Sequence, residues 1–586
     1  MRPDRIETEG RFDSFNNGEV ISSKKKNHLP AMGWNSWNAF GSGNTEALTK
    51  VMADRFVELG LKDLGYEFII LDDGCYKENR VEGKLSNEEV KFPSGFKALS
   101  DYIHGKGLKF GMYNDIGTNL CAGAAVGTCD HEKEDAESYI EWGVDFLKVD
   151  NCYYPFDNAT FSDGTNAKFS YAPAISKVEV KELSQTFECG RNIVATGVGV
   201  KTCDIDGTVF FKGIGTFDGT GPENTPVGDM SGELRFDVDV PEDGEYSLLI
   251  SHINGKEPEQ GSWLSVGVIS PDGSRSYPYD EILGDEDSTD LQVSTVTVSL
   301  KKGVNSIRLM NHRRQENPLN SYAKLLKELY KINPDHDIIH SACEWGKNQP
   351  QNWAYKVCDS WRILNDISFR VGSDGDPGAC EWVGDYTPNI TAQYNKAVIM
   401  DEFAGLSKGW NDPDMLVVGM NGLSMTQYRT HMTMWCMMNS PLMLGLDLRR
   451  VEKGDEIYNI IANKDLIALN QDELGIQSKR VFSSLATECP DKEYIKDINR
   501  VDILVKPLKN GSFAISFINV SLEDDNNCYS ISVPEIKAFL GDKVRDSSFY
   551  RVKDLWTGKE STSDSGVFEV KGLKGCDNVT ILVTPE

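Results

Sequence analysis

Acidic, basic and aromatic side chains follow a series of apolar segments in this sequence, at the points where buried strands are predicted to end. They are Trp37, Asp72, Asp73, Tyr113, Lys148, Asp150, Glu344, Arg362, Asp366 and Asp414. Ionised carboxylates accept strong hydrogen bonds from sugar hydroxyl groups, and aromatic rings cover the C–H faces of a sugar. The combination therefore predicts a binding site for a neutral polyol such as a sugar.

Cleavage of a glycosidic bond requires two carboxyl groups on opposite sides of the scissile bond. One attacks the sugar or activates a water molecule, and the other protonates the leaving oxygen. The spacing of the residues does not by itself select this pair.

Each residue of the set also has a structural explanation. An aspartate after a strand often caps the next helix, which is a sufficient reason for a lone Asp150 or Asp366. Lys148 and Arg362 serve equally well as partners of buried carboxylates, the aromatic residues as core side chains, and Asp72–Asp73 as the bracket of a turn. Clustering at one face of the predicted sheet weakens these alternatives together.

The segments that position these residues alternate between helical and strand periodicity, from about residue 29 to 154 and again from 319 to 474. This alternation is typical of α/β folds. The two parts together have about the length of a TIM barrel, roughly 250 residues. Eight strands are predicted, starting near Met32, Glu67, Lys109, Asp145, Ile338, Trp361, Asp414 and Pro441. The sequence thus predicts one (β/α)8 barrel in two parts.

The block between the two parts shows the period-two alternation of antiparallel strands, for example in Glu233–Val240. It predicts a β-sandwich inserted after the fourth strand, on the face where such barrels carry their active sites. The acidic run Gly284–Asp290 matches no EF-hand spacing, so we predict a solvated loop there and no metal site. The predicted divisions are an N-terminal extension (1–30), the barrel (31–155 and 319–474), the inserted sandwich (156–318) and a C-terminal β-sandwich (475–586).

The composition excludes several classes of function. The 61 basic and 90 acidic residues give a formal net charge of −29, which repels nucleic acid and anionic lipids. No stretch reaches the roughly 18 apolar residues of a membrane span, and residues 1–26 lack the apolar run of a signal peptide. The 13 cysteines form no CxxC pair, and no HExxH motif is present. We therefore expect a soluble protein without metal, cofactor, nucleic-acid or membrane partner, either cytoplasmic or secreted with its signal absent from this chain.

Six motifs stand in order along the chain: Met32-Gly-Trp-Asn-Ser-Trp-Asn38, Leu71-Asp-Asp-Gly74, Lys148-Val-Asp-Asn-Cys152, Cys343-Glu-Trp-Gly346, Trp361-Arg-Ile-Leu-Asn-Asp366 and Trp410-Asn-Asp-Pro-Asp-Met415. They resemble the motifs of glycoside hydrolase family 27, the α-galactosidases. The resemblance covers the barrel and the C-terminal sandwich, whereas the inserted block resembles, more weakly, a carbohydrate-binding module of family 35. It implies a retaining, exo-acting α-galactosidase whose partner is a galactose-containing oligosaccharide or glycan.

The resemblance also implies a role for each motif residue. Asp150 would be the nucleophile that forms a covalent galactosyl-enzyme, and Asp366 the acid/base. A retaining mechanism requires the two carboxyl groups about 5 to 5.5 Å apart. Asp72 and Asp73 would bind the hydroxyls at carbons 4 and 6, and Cys121 would form a disulfide with Cys152. The full set of implied substrate-binding residues is Trp37, Asp72, Asp73, Tyr113, Lys148, Glu344, Arg362, Asp414 and Met415.

Other readings of the same residues stay open at this point. In α-N-acetylgalactosaminidases of this family a small residue replaces the acidic one near carbon 2, so the presence of Glu344 favours galactose. A β-L-arabinopyranosidase shares the scaffold. A sugar-binding protein without turnover is disfavoured because both Asp150 and Asp366 are present. The sequence does not distinguish a monomer from a homo-oligomer.

Overall fold

The computed structural model describes residues 27–153, 171–197, 199–215, 232–255, 260–311, 313–367, 370–384 and 389–586, with the side chains of 313–317 left out. Most of the predicted N-terminal extension, residues 1–26, lies outside the described residues. So does the predicted division between residues 155 and 156.

The first part of the chain alternates strands and helices. Helix α2 begins where Thr45 accepts a hydrogen bond from the Leu48 amide at 3.2 Å, and it ends at Gly60, whose φ of 73° is left-handed. The elements are β1 (Met32–Asn35), α1 (Ser36–Phe40), α2 (Glu46–Leu59), β2 (Phe68–Ile70), α3 (Gly95–Gly105), β3 (Lys109–Asp115), α4 (Glu132–Trp142) and β4 (Phe146–Asp150).

Antiparallel strands in two sheets follow β4. They are β5 (Ala174–Val180), β6 (Gln185–Glu188), β7 (Val194–Thr196), β8 (Lys201–Ile205), β9 (Thr208–Lys212), β10 (Glu233–Val240), β11 (Gly244–Ile253), β12 (Trp263–Ile269), β13 (Arg275–Ile282), β14 (Leu291–Leu300) and β15 (Gly303–Met310). One sheet has the order β13-β12-β15-β10-β7 and the other β14-β11-β5-β9-β8, with β6 beside β5. The two sheets enclose a hydrophobic core of their own.

The alternation of strands and helices then resumes with α5 (Arg313–Ile332), β16 (Ile339–Cys343), β17 (Ser360–Arg362), α6 (Ile390–Ala397), β18 (Trp410–Asp412), α7 (Met425–Met437), β19 (Leu442–Leu444), α8 (Glu456–Ile461) and α9 (Lys464–Asn470). Helix α5 begins at Arg313, before the predicted division at residue 319. It is tied to the first part of the chain, because the Tyr322 hydroxyl donates to the Val149 carbonyl at 3.0 Å.

The strands of the two parts form one parallel sheet in the order β18-β17-β16-β4-β3-β2-β1-β19. A parallel bridge between Leu416 and Leu444 joins its ends and closes the barrel. Close packing requires glycine at position 33 of β1, since a Cβ atom there would lie 2.5 Å from the Phe68 carbonyl oxygen. The predicted (β/α)8 barrel is confirmed.

The seventh barrel strand differs from its prediction near Asp414. The strand is β18, which ends at Asp412. Pro413 has no amide hydrogen for a sheet, and Asp414 has a φ of 74°, outside the range of strands. Asp414 therefore belongs to the loop that follows the strand.

The C-terminal part contains β20 (Lys479–Ser483), β21 (Val501–Pro507), β22 (Phe513–Asn519), β23 (Asp525–Ser532), α10 (Val533–Leu540), β24 (Tyr550–Asp554), β25 (Glu560–Ser563), β26 (Val567–Leu573) and β27 (Asn578–Pro585). A six-stranded antiparallel sheet, β20-β21-β22-β27-β24-β25, and the β23-β26 pair confirm the predicted sandwich. Helix α10 was not predicted. Its sequence signal is the capping box formed by Ser532 and Glu535.

The two sandwiches relate differently to the barrel. The barrel core continues into the C-terminal sandwich through Leu504, Ala514 and Ile518. The core of the inserted sandwich forms a separate cluster. None of the described helices is both long and apolar enough to cross a membrane.

Candidate active site

The carboxyl ends of the barrel strands bring the predicted residues together. Lys148 and Asp150 stand on β4, Tyr113 on the neighbouring β3 and Arg362 on β17. The carboxyl ends of parallel barrel strands share one rim, which is where barrel enzymes carry their active sites. The contacts below join these residues into one polar pocket.

Asp150 lies at the end of β4 and is 4% exposed. One of its carboxylate oxygens, Oδ2, accepts a hydrogen bond from the Tyr113 hydroxyl at 3.0 Å. The other, Oδ1, accepts from the Trp345 indole N–H at 2.7 Å and from the Asn151 amide at 2.9 Å. Three donors thus fix the orientation of this carboxylate.

Lys148 and Asp72 form an ion pair beside Asp150. The Lys148 ammonium lies 2.7 Å from Asp72 Oδ2, which also accepts from the Asn35 side chain at 2.7 Å. Burial opposes the charge of Lys148, but the negative charges of Asp72 and Asp150 hold its pKa well above the ordinary value. A lysine cation therefore remains beside Asp150 at all moderate pH values.

Asp73 is the second carboxylate of the pair that follows β2. It accepts hydrogen bonds from the Ala122 amide at 2.7 Å and the Gly74 amide at 2.6 Å. Burial, with the charges of Asp72 and Asp150, nevertheless raises its pKa to about 6. Asp73 therefore changes its charge in the mildly acidic range.

Arg362 joins the acidic residues on the opposite side of the pocket. Its guanidinium donates to Asp366 Oδ1 at 2.9 Å and lies 3.1 Å from Asp414 Oδ2. The Asp366 side chain keeps 40% of its surface exposed. Desolvation still raises its pKa, Arg362 opposes this rise, and the charge of Asp414 adds to it. Asp366 is thus a carboxyl group with both solvent access and an increased tendency to hold its proton.

Glu344 is completely buried behind the pocket. Its carboxylate oxygens accept hydrogen bonds from the Asn151 side chain, both at 3.2 Å, and one accepts from the Asn348 side chain at 2.7 Å. Glu344 therefore orients the residue next to Asp150. Its predicted contact with a substrate at carbon 2 requires local movement and stays a prediction.

Trp37 and Met415 supply the apolar part of the pocket. Both pack on a small cluster of barrel side chains, and Trp37 is partly exposed. The Tyr113 ring is buried, with the Lys148 ammonium 5.4 Å from its centre. An exposed tryptophan edge beside ionised groups suits the mixed surface of a sugar.

The Cys121 and Cys152 sulfur atoms and an Asp150 carboxylate oxygen lie within 4.8 Å of one another. Among the described residues, these three are the group whose potential metal-ligand atoms lie close enough together to hold a metal ion. The two sulfurs are neighbours, and the disulfide between them stays a prediction. The Gly284–Asp290 run belongs to no such group.

Capping does not explain the two central aspartates. Neither Asp150 nor Asp366 caps any of the helices whose first turn is described; Asn35, by contrast, caps α1 through a hydrogen bond from the Trp37 amide at 2.8 Å. Helix capping therefore does not account for Asp150 or Asp366 among the helices described.

Sequence reasoning missed several residues of the site. Trp345 binds Asp150 directly, and Asn35 binds Asp72. Asp115, completely buried, pairs in register with Asp150, and Asp412 lies beside Arg362 with a pKa raised by burial to about 6. Asp115 and Asp412 end strands, so the rule that selected the other candidates applied to them as well. Trp345 and Asn35 stand inside motifs that were recognised.

A barrel that gathers paired carboxylates, an aromatic side chain and a lysine cation at one rim agrees with what the comparisons with known proteins found. A family model described as "Alpha galactosidase A" matches residues 29–176 and 304–472, more than half of the chain. A model described as "Alpha galactosidase C-terminal beta sandwich domain" matches residues 499–573. The protein is a glycoside hydrolase. It belongs to the alpha galactosidase A family.

The chain is similar over most of its length to named relatives. Alpha-galactosidase A of Cellvibrio japonicus is 25% identical over 549 residues, which cover 92% of this chain and 89% of the relative. The crystal structure of α-galactosidase I from Mortierella vinacea gives a TM-score of 0.59 at 21% identity, covering 97% of this chain and 99% of that one. The structure of α-galactosidase from Saccharomyces cerevisiae with raffinose gives 0.58 at 20% identity, covering 95% and 98%. At these identities the two structures show the fold alone.

Proposed function

We propose that the protein is a retaining, exo-acting α-galactosidase that releases terminal α-linked galactose through a covalent galactosyl-enzyme. The observation that carries this proposal is the pairing of a fixed carboxylate, Asp150, with a carboxyl group of raised pKa, Asp366, in one pocket. The charge of Asp150 also contributes to the raised pKa of Asp366.

Binding of the sugar rests on the side of the pocket that follows β2. Asp72 and Asp73 accept hydrogen bonds from ring hydroxyls, and Trp37 covers the apolar face. Lys148 donates to a neighbouring hydroxyl while it balances Asp72.

In the first chemical step, a carboxylate oxygen of Asp150 forms a bond to the anomeric carbon while the bond from that carbon to the leaving oxygen breaks. Asp366 gives its proton to the leaving oxygen, so the leaving group departs as a neutral alcohol. The raised pKa of Asp366 supports this role, because the group must hold its proton until transfer.

In the second step, Asp366 acts as a base. Its carboxylate takes a proton from water, the water oxygen bonds to the anomeric carbon, and the ester bond to Asp150 breaks. The 40% exposure of Asp366 supports the entry of that water. Two inversions at one carbon give net retention of configuration.

The proposed substrate is a galactose-containing oligosaccharide or glycoconjugate. The related yeast enzyme has been solved with raffinose, which ends in an α-linked galactose. An α-N-acetylgalactosaminidase requires room for an acetamide at carbon 2. Glu344 binds the side chain of Asn151, the residue next to Asp150, and we infer that its carboxylate favours a free hydroxyl at carbon 2.

One assay tests the proposal. We expect hydrolysis of p-nitrophenyl α-galactoside, with the α-anomer of galactose formed first in the proton NMR spectrum. Faster hydrolysis of the α-N-acetylgalactosaminide or of the β-L-arabinopyranoside would identify the corresponding alternative. Initial release of the β-anomer would contradict the retaining mechanism, and absence of any hydrolysis would favour a sugar-binding protein.

We also propose that the inserted sandwich binds carbohydrate near the pocket. Its support is its entry after β4, the strand that carries Asp150, and a core separate from the barrel. Replacement of the insertion by a short linker is expected to raise KM for branched substrates and to spare p-nitrophenyl α-galactoside. Equal losses on both substrates would reject this role.

A further inference from the structure

A groove lies where helices α7 and α8 of the barrel meet the C-terminal sandwich. It contains a cavity of about 510 Å³ lined by both parts, and a second cavity of about 370 Å³, lined by residues of the sandwich alone, shares Asp554 and Val579 with it. Ligand pockets of proteins typically enclose roughly 300–1,000 Å³. Both cavities are therefore in the size range of ligand-binding sites.

The junction groove lies on the same side of the barrel as the active site. Met425 and Arg429 in the first turns of α7 line it, and so does Glu456 at the start of α8. In a (β/α)8 barrel each helix runs back along the preceding strand, so helices start at the rim where the strands end. A long substrate bound at the pocket can therefore extend toward this groove.

Trp556 gives the groove a fixed aromatic wall. Its indole N–H donates to Thr433 Oγ1 at 3.1 Å and to Asn578 Oδ1 at 3.2 Å, while the side chain stays partly exposed. The indole is thus held by its own hydrogen bonds before any ligand arrives. A rigid, half-exposed aromatic surface binds the C–H face of a sugar at low entropic cost.

The polar groups of the groove keep bonding capacity. Among the described residues, Arg429 forms one hydrogen bond, to Thr426 Oγ1 at 3.4 Å, and no ion pair. Asp554 uses Oδ1 to accept from the Trp556 and Thr557 amides at 3.0 and 2.7 Å, which leaves its Oδ2 available. Lys559 takes part in no ion pair within the described chain. Both donors and acceptors are thus available in the walls.

The charges of the groove disfavour an anionic ligand. Its walls carry two basic residues, Arg429 and Lys559, and four acidic ones, Glu456, Asp554, Asp577 and Glu569. The second cavity adds the hydroxyl groups of β25, and the whole chain carries a net charge of −29, which repels polyanions. Mixed charges, hydroxyls and an aromatic wall together suit a neutral polyhydroxylated chain.

We propose that the junction groove is a second, non-catalytic site that binds the oligosaccharide backbone of a substrate whose terminal galactose enters the pocket. The choice of ligand rests on the proposed function. Two linked binding events raise the effective concentration of the end group at the pocket, so long substrates gain affinity that short ones lack.

Methionine methyl groups report on the two sites separately. Met415 lines a small cavity with Lys148, Arg362 and Asp414 of the proposed catalytic site, and Met425, 36% exposed, lines the groove. The full chain carrying Asp150→Asn, labelled with ¹³C at the methionine methyls, is titrated with free galactose and then with a manno-oligosaccharide of about six units that bears one α-galactosyl branch. We expect galactose to shift the Met415 signal alone and the oligosaccharide to shift the Met425 signal as well.

Arg429→Ala and Lys559→Ala test the groove without touching the pocket. In the Asp150→Asn background each is expected to weaken the Met425 response about fivefold and to leave the Met415 response to galactose unchanged. In the active enzyme each should raise KM for the branched oligosaccharide by a similar factor and leave p-nitrophenyl α-galactoside unaffected. Arg545→Ala, an exposed arginine of the same sandwich outside the groove, is the matched control.

Two results would overturn the proposal. One is a Met425 signal that does not respond to millimolar oligosaccharide, whether or not Met415 responds. The other is an unchanged response in both groove variants. A failure of the proposed function gives a different result. In that case the wild-type protein would not hydrolyse the aryl α-galactoside, and galactose would not shift the Met415 signal.

Discussion

The two carboxyl groups of the pocket occupy opposite kinds of environment. Asp150 ends a barrel strand, is 4% exposed and is held by three hydrogen-bond donors. Asp366 follows a strand in a loop, keeps 40% of its side chain exposed and is held mainly by Arg362. A nucleophile needs a fixed direction of attack, whereas an acid/base must reach a leaving group and then a water molecule. The contrast indicates that rigidity and access were divided between the two groups.

The largest expected effect is that of Asp150→Asn. The amide keeps the shape of the side chain but does not attack the anomeric carbon, so we expect kcat to fall by about 10⁴-fold or more while galactose still binds. Single-turnover kinetics and a galactose titration measure the two quantities. A near-normal kcat would show that Asp150 is not the nucleophile, and the contrast between Asp150 and Asp366 would then have no catalytic meaning.

Asp366→Asn is expected to have a smaller and selective effect. General acid catalysis contributes roughly 10²–10⁴-fold, and it matters least when the leaving oxygen is already acidic. We therefore expect a large loss of kcat on melibiose and a small loss in the first step on an activated aryl galactoside. Equal losses on the two substrates would argue that Asp366 holds structure and does not transfer a proton.

The donors to Asp150 allow a finer test of its rigidity. Trp345→Phe and Tyr113→Phe each remove one hydrogen bond to a charged group, and we expect each to lower kcat/KM about tenfold. Trp142→Phe, a partly buried tryptophan of α4, is the control and should be silent. If both pocket variants keep full activity, these two side-chain donors do not contribute to the attack by Asp150.

The smallest expected effect concerns pH. Asp73, with a pKa of about 6, accepts sugar hydroxyls fully only above that value, so KM should rise a few-fold as the pH falls through 6. On the other side, kcat should fall at high pH as Asp366, whose pKa is raised, loses the proton that it must donate. Asp412 also has a pKa of about 6, so the Asp73→Asn variant is needed to decide whether Asp73 causes the change of KM at low pH. If the dependence of KM on pH is the same in that variant, a group other than Asp73 causes the change.

The sequence predicted those parts of the molecule that depend on local pattern. Buried strands ending in polar residues predicted where Tyr113, Asp150 and Arg362 would meet, because strand ends of a barrel share one rim. The contact of Trp345 with Asp150 was beyond such reasoning, since it depends on a φ of 56° at Trp345, which is unusual for a residue with a side chain.

The features of the site that the sequence did not predict depend on packing between distant parts of the chain. Glu344 was expected at the substrate, but its burial depends on amide groups of Asn151 and Asn348 that no periodicity reveals. The strand expected near Asp414 ends earlier because Pro413 interrupts the ladder. In both cases the residues were recognised and their surroundings were not.

The separate core of the inserted sandwich has a consequence for the order of folding. Strands β4 and β16 are neighbours in the barrel, with Asp150 opposite Cys343, although Asn151 and its partner Glu344 are 193 residues apart in the chain. Closing an unfolded loop of that length costs entropy that grows with the logarithm of its length. If the inserted sandwich folds first on its own core, the flexible part of this loop is reduced to the two segments that connect the sandwich to the barrel. The inserted sandwich of the nascent chain would then fold before the barrel strands close around Asp150.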